Sequence, residues 1–265
     1  MPVPAFGKRT LLAASFFCAW LAANSAAADC NSAHINATVA VSRVLDGDTV
    51  ILTDGRHLRF IGLNTPELAR DERPTEPLAA AATQRLQHLL GPSPHLQLQF
   101  GVERHDRYGR LLAHPFLPDG RNLSALLLRE GLGFRIAVPP NLQFQNCYDA
   151  AEQQARQHAR GVWHVAAFRT IPADQLARSD TGFRRVHGRI SRVGESRTAW
   201  WLNMGRGFAL RLPKKDRDSF DIAPRQLAGK TLTVRGWVYY VERKGELRMN
   251  LRHPGMIEEQ GTGSE

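Results

Sequence analysis

Between Thr38 and Leu63 the chain carries three short apolar runs, residues 38–45, 49–53 and 57–63, with little between them but turn residues. Runs of this length, rich in Val, Ile, Leu and Phe, read as strands. Asp54-Gly55 is a hairpin signal between the second and the third, because aspartate and glycine tolerate the backbone angles of a tight reversal. The opening of the fold is therefore an antiparallel meander.

Thr75 then reads as a helix cap, with Glu76 and Pro77 in the first turn and Leu78, Ala82, Leu86, Leu89 and Leu90 carried inward until Gly91-Pro92 stops the helix. Residues 95–102 and 111–117 add two strands. Two further helices follow, 122–130 ending at Gly131 and 147–159 ending at Gly161. Five strands with one helix among them and two after them suit a small barrel of the OB type. Past Trp163 a polar connection, residues 169–181, leads to a second β-rich block with strand candidates at 186–193, 199–204, 208–212, 231–240 and 248–251. The fold class is mainly β with helices, an α+β chain. A five-stranded OB-type barrel with three helices (29–168) precedes a second small OB-like barrel (182–258) and a polar tail (259–265).

The first residues set the compartment. Lys8 and Arg9 form a positive start, Leu11 to Ala23 an apolar stretch, and Ala26-Ala27-Ala28 a small-residue cleavage site, so residues 1–28 read as a signal peptide and the mature chain begins near Asp29. The alternative, an uncleaved anchor, is opposed by the shortness of the run and its interruption at Ser15, Asn24 and Ser25. Neither Cys18 nor Cys30 sits in the pattern of a lipid-modified cysteine. A periplasmic or secreted monomer, free of the membrane after cleavage, is expected. Cleavage removes Cys18 and leaves Cys30 and Cys147 in an oxidising compartment. They either form one disulfide, stabilising by up to about 4 to 5 kcal/mol, or remain two unrelated thiols, one buried and one at a frayed end.

The full chain of 265 residues carries a formal charge of +10, and +8 once Lys8 and Arg9 are gone. That balance suits a polyanionic partner without naming it; 43% hydrophobic residues argues against disorder.

Three stretches carry the chemistry. Asp46-Gly47-Asp48-Thr49 lies where one strand turns into the next; read alone, Asp-Gly is an ordinary turn pair. Arg59 lies mid-strand among Leu58, Phe60 and Ile61, where a cation needs a partner unless the position faces water. Asn64-Thr65-Pro66-Glu67 ends that strand, and Pro66 stops pairing so that Glu67 is held out into the loop. Asp106-Arg107-Tyr108-Gly109-Arg110 is a turn between two strands. Phosphodiester hydrolysis needs a water activated by a carboxylate, groups that place it, and planar donors that neutralise the transition state. Arginine meets the last need because its guanidinium forks onto two phosphate oxygens and stays charged.

In order and spacing these stretches resemble the three active-site motifs of the thermonuclease (staphylococcal nuclease-like) family. The likeness continues through Arg129-Glu130-Gly131-Leu132 and Gly161-Val162-Trp163, and spans about Val39 to Trp163. The resemblance implies a calcium-dependent nuclease acting on DNA, RNA or both and leaving 3′-phosphates. Asp48 would bind calcium with the Thr65 carbonyl. Glu67 would activate or orient the water, Arg59 and Arg110 would grip the phosphate, and Asp106 and Tyr108 would sit on the substrate side. Asn64 stands where the family commonly has a second calcium-binding aspartate, which implies weaker calcium binding or a more permissive metal preference. Ala137-Val138-Pro139 stands where the family's best-known member has a tyrosine-bearing stretch, so the resemblance does not carry base stacking over to that place.

The second block carries Arg184, Arg185, Arg189, Arg192 and Arg197 interleaved with Trp200 and Trp201. These form either a nucleic-acid platform or a barrel with two core tryptophans and solvated arginines. Two rivals to the enzyme remain open from sequence: a nucleic-acid-binding protein with this fold and little hydrolysis, and a basic structural protein of the envelope.

Overall fold

The computed structural model describes residues 30–258 except 33, 70–73 and 93. The expected signal peptide and polar tail lie outside the described residues. The meander is present as β1 (Ala37–Asp46), β2 (Thr49–Leu52) and β3 (His57–Phe60). The third strand is shorter than expected: at Gly62, φ is +83° and a Cβ would lie 2.2 Å from the Tyr148 ring. Only glycine permits that bend and that approach. The chain leaves the barrel there and forms β4 (Leu63–Asn64).

Helix α1 (Ala79–Leu90) starts later than expected. Thr75 does not cap it, because its hydroxyl accepts the Ala69 N–H (3.0 Å) and so closes the preceding loop. Ala82 and Leu86 are buried as expected, Ala79 and Thr83 join them, and Leu89 and Leu90 pack partly buried against the core. Next come β5 (His95–His105), β6 (Leu111–Phe116), α2 (Leu123–Arg129), β7 (Phe134–Arg135) and α3 (Gln145–Gln157). Asn122 caps α2 by accepting the Ala125 N–H at 3.0 Å.

The barrel closes in the order β1-β2-β3-β6-β5. Alternate strand residues, among them Val50, Leu52, Leu58, Leu96 and Leu98, fill it, as a pleated strand with one buried face requires. Tyr148 of α3 is fully buried, donating to or accepting from His114 Nδ1 (2.7 Å) and accepting from Asn122 (3.2 Å). Cys30 and Cys147 are joined in a disulfide spanning 117 residues, which ties the N-terminal segment to α3.

The expected polar connection is not a free linker. Within it β8 (Ile171–Pro172) pairs in parallel with β9 (Gly182–Glu195), and Ala173 enters the second core; the apolar pair Ile171-Pro172 supplies an edge that composition alone hid. The second barrel continues through β10 (Ala199–Met204), β11 (Phe208–Pro213), β12 (Thr231–Val241), β13 (Glu246–Asn250) and β14 (Ile257–Glu258). Its closed ring runs β9-β10-β11-β13-β12, with β12 pairing back to β9. Counting strands within each ring, both barrels have the order 1-2-3-5-4.

The two barrels meet across a buried ionic and aromatic seam. Arg235 of β12 reaches Glu152 of α3 (2.7 Å), both under 4% exposed. Arg185 forks onto Glu258 with two bonds of 2.7 Å, and Arg156 of α3 approaches the same carboxylate at 3.5 Å. Burial pulls the Arg235 pKa down, but Glu152 and Glu258 outweigh it and hold it above the usual value. Phe134 of β7 stacks on Phe183 of β9 and meets Trp163 and Phe168 edge-on. Charges removed so far from water need this pairing. Among the described residues no helix is long and apolar enough to cross a membrane.

Candidate active site

Asp48 is the centre around which the site is built. It sits in the β1–β2 turn, buried, where Gly47 passes so close to α1 and Thr65 that a Cβ would lie 2.6 Å from Ala82. The Asp48 N–H donates to Asp46 Oδ1 (3.1 Å), which fixes the turn. Asp48 Oδ2 accepts the Thr65 N–H (2.7 Å) and the Thr65 hydroxyl (3.1 Å), and Oδ1 accepts the Thr49 hydroxyl (3.0 Å). Thus the β1–β2 turn and the segment after β4, 17 residues apart, are locked through one carboxylate.

Arg59 extends from β3 into the same place. Its guanidinium forms an ion pair with Asp48 and donates to the Asn64 amide oxygen (3.1 Å). Burial lowers its pKa to about 10, opposed by Asp46, Glu67 and Asp106 and assisted by Arg110. It remains charged at neutral pH. The electrostatic neighbours matter more than the value: Arg59 senses charges from all three motif segments, so those segments converge. Asn64 is brought there because β4 pairs with β7, Leu63 opposite Arg135 and Asn64 opposite Phe134.

Glu67 is exposed just beyond Pro66. Its backbone is pinned by Glu76, whose carboxylate accepts the Glu67 N–H and whose N–H donates to the Glu67 carbonyl, both at 2.9 Å. Arg110 is held within its own turn. Asp106 accepts the N–H groups of Tyr108 and Arg110 and binds Arg110 Nε at 2.7 Å. Burial alone would raise the Asp106 pKa, yet the bonds from Arg110 and Tyr108 keep it below the usual carboxylate value. Asp106, expected on the substrate side, therefore spends its carboxylate on aiming Arg110. Tyr108 is 68% exposed, with Arg107 and Arg110 over its ring.

Every oxygen that could hold a cation here is hard: the Asp48 carboxylate, the Asn64 amide oxygen and the Thr65 carbonyl. That donor chemistry fits a divalent ion such as calcium. It is also sparse in charge: no group of three or more His, Cys, Asp or Glu side chains suited to a metal occurs among the described residues. Arg59 already engages both Asp48 and Asn64, so a cation there competes with it for the same oxygens.

The family model described as staphylococcal nuclease homologue matches residues 57–165. The thermonuclease of Staphylococcus hyicus is 33% identical over 130 residues, covering 48% of this chain and 75% of that protein. The thermonuclease of Staphylococcus intermedius is 33% identical over 127 residues, 46% of this chain and 74% of the relative. The chain belongs to the staphylococcal nuclease homologue family. Endonuclease YncB of Bacillus subtilis (strain 168) is 32% identical over 138 residues, 50% of this chain and 64% of its own length. The family segment takes in β3 to Trp163 and leaves the second barrel outside it.

Some parts of this candidate site were not singled out from sequence. Asp46 and Thr49 were read as turn residues, yet they orient Asp48; their adjacency to it was the available signal. The β4–β7 pair left no signal, since two-residue strands have no periodicity. Glu152, which accepts the Arg135 N–H of β7 at 2.7 Å, lay unremarked in an expected amphipathic helix.

Proposed function

We propose that this chain is a secreted, calcium-dependent endonuclease that cleaves DNA, RNA or both and leaves 3′-phosphates. The observation that carries the reading is the convergence on Arg59 of Asp48, Glu67 and Arg110 from three separate segments. The expected leader and the family resemblance support the secretion and product assignments.

Arg59 from β3 and Arg110 from the β5–β6 turn present planar donors, a fork suited to the equatorial oxygens of a phosphodiester. Glu67, exposed at the rim, takes the proton of the attacking water as its oxygen bonds to phosphorus. The bond from phosphorus to the 5′ oxygen breaks, and the guanidinium donors stabilise the negative charge gathered on the phosphoryl and leaving oxygens. A divalent ion held by Asp48, Asn64 and the Thr65 carbonyl supplies further charge neutralisation when bound.

Incubating the protein with labelled single-stranded DNA and RNA, in calcium and then in chelator, tests the assignment. Cleavage that stops with chelator supports it, with Glu67→Gln removing most hydrolysis and sparing binding. Tight binding without cleavage in any divalent ion would instead make it a binding protein on a nuclease scaffold, the outcome that the single carboxylate of the cation site would explain.

A further inference from the structure

The two barrels share one strand order, so positions in one can be matched to the other. In the first, the site is assembled from the loop between strands one and two (Asp48), the outer face of strand three (Arg59), and the loop between strands four and five (Arg110). The same three places in the second barrel hold Arg197 in the β9–β10 loop, Arg211 on β11, and Arg243 with Lys244 in the β12–β13 connection. Carboxylates there are already paired: Glu242 with Arg178 and Glu246 with Arg248. Cations thus recur at the two places where the first barrel has Arg59 and Arg110, and Arg197 stands where it has Asp48.

Aromatic surface completes this face. Trp201 lies directly opposite Arg211 across β10 and β11, and the Arg248 guanidinium stands 4.4 Å from the centre of its ring. On the other side Trp201 faces Gly194, which has no side chain to cover the indole. Trp200 points the other way, against the core, and Arg185 is consumed by the seam between barrels. Of the two alternatives open from sequence, a platform here would draw on Trp201, with Arg211 and Arg248 beside it, and not on Trp200 or Arg185. The strand-two and strand-three face with its two flanking loops is where OB barrels take oligonucleotides.

We infer that the second barrel binds single-stranded nucleic acid, stacking a base on Trp201 and holding flanking phosphates with Arg211 and the loop cations. Stacking platforms with interleaved cations suit that ligand because every base has a π-face and every linkage a charge. The inference rests on the nuclease reading for its substrate class. Gly194 is nine residues along β9 from Arg185 in the seam, about 30 Å of extended strand, so this face stands apart from the seam and offers a second contact to a strand that reaches beyond the nuclease barrel. It raises affinity by adding a tethered second contact.

The test is fluorescence anisotropy with the full chain and a labelled thymidine 20-mer, in chelator so that no hydrolysis intervenes. Trp201→Ala is expected to weaken binding by roughly five-fold to a hundred-fold, with Trp201→Phe restoring most of it. Arg211→Gln should flatten the salt dependence by about 0.7 in log–log slope for each phosphate that the variant no longer neutralises. Unchanged 20-mer affinity in Trp201→Ala and Arg211→Gln proteins of wild-type melting temperature overturns the inference. An equal loss for heparin on Trp201→Ala also overturns it, by revealing a surface for any polyanion. Failure of the nuclease reading would show separately, as absent cleavage in calcium.

Discussion

Acid should weaken the nuclease barrel through one buried histidine. His114 is 1% exposed, and burial drives its pKa from 6.5 to about 4. Around it stand the Tyr148 hydroxyl and the rings of Phe144 and Tyr148, with Gln99 opposite on β5. Because Asn122 donates to the Tyr148 oxygen, the tyrosine proton is free to point at Nδ1, which fits a neutral imidazole protonated on Nε2. The unfolded chain takes a proton near pH 6.5, whereas the folded chain refuses it until about pH 4. Stability is therefore complete above pH 6.5, falls as pH drops through that window, and stops falling below about 4. The full gap corresponds to about 3 kcal/mol, of which about 2 kcal/mol is lost between pH 7 and pH 4.5. Urea unfolding followed by circular dichroism across that range measures it. His253, held down by burial and by Arg135, adds a loss of the same sign, so the decisive quantity is the difference between wild type and His114→Gln. The variant's curve should be flatter by about 2 kcal/mol. Parallel curves would refute the reasoning.

Arg110→Ala should lower turnover by about a hundred-fold to a thousand-fold with a smaller change in KM, since one preorganised donor to the transition state is removed; steady-state cleavage of an oligonucleotide reads this directly. Asn64→Asp adds a carboxylate beside Asp48 and should lower the half-saturating calcium concentration by roughly tenfold, measured by calcium titration of activity. Arg235→Met removes the cation paired with the buried Glu152 of α3 and should destabilise the protein by about 3 to 5 kcal/mol, visible as a lower melting temperature. Below about pH 4.5 the same seam should loosen in the wild type. Burial alone would raise the Glu258 pKa, but Arg185, Arg235 and Arg156 hold it below 4.5, so its contribution is present above that value and lost as pH falls through the lowered pKa. Limited proteolysis at pH 4 against pH 7, compared in wild type and Arg185→Gln, detects it.

Much of this protein was legible without coordinates because strands and turns are local. Apolar runs of four to eight residues between Gly, Asp and Pro specify a strand wherever they occur, and ten barrel strands in two groups follow from that alone. The motif residues were legible for a related reason: a buried arginine between apolar neighbours and a proline that stops a strand carry their constraint in adjacent residues. Spatial convergence is different in kind. Nothing near Asp48 in the chain says that Thr65 will donate to it, nor near Asn64 that Phe134 will pair with it. Nor does anything say that Asp106 turns inward to aim Arg110 instead of facing a substrate.

Those relations are made by barrel closure, by the bend at Gly62 against Tyr148, and by the seam that sets Arg235 on Glu152. Sequence thus determined which residue types were present and which segments were strands. Tertiary structure decided which side chains share a low-dielectric space, and there a charge's neighbours, not its position in the chain, control whether it grips a phosphate, aims another group or simply holds two barrels together.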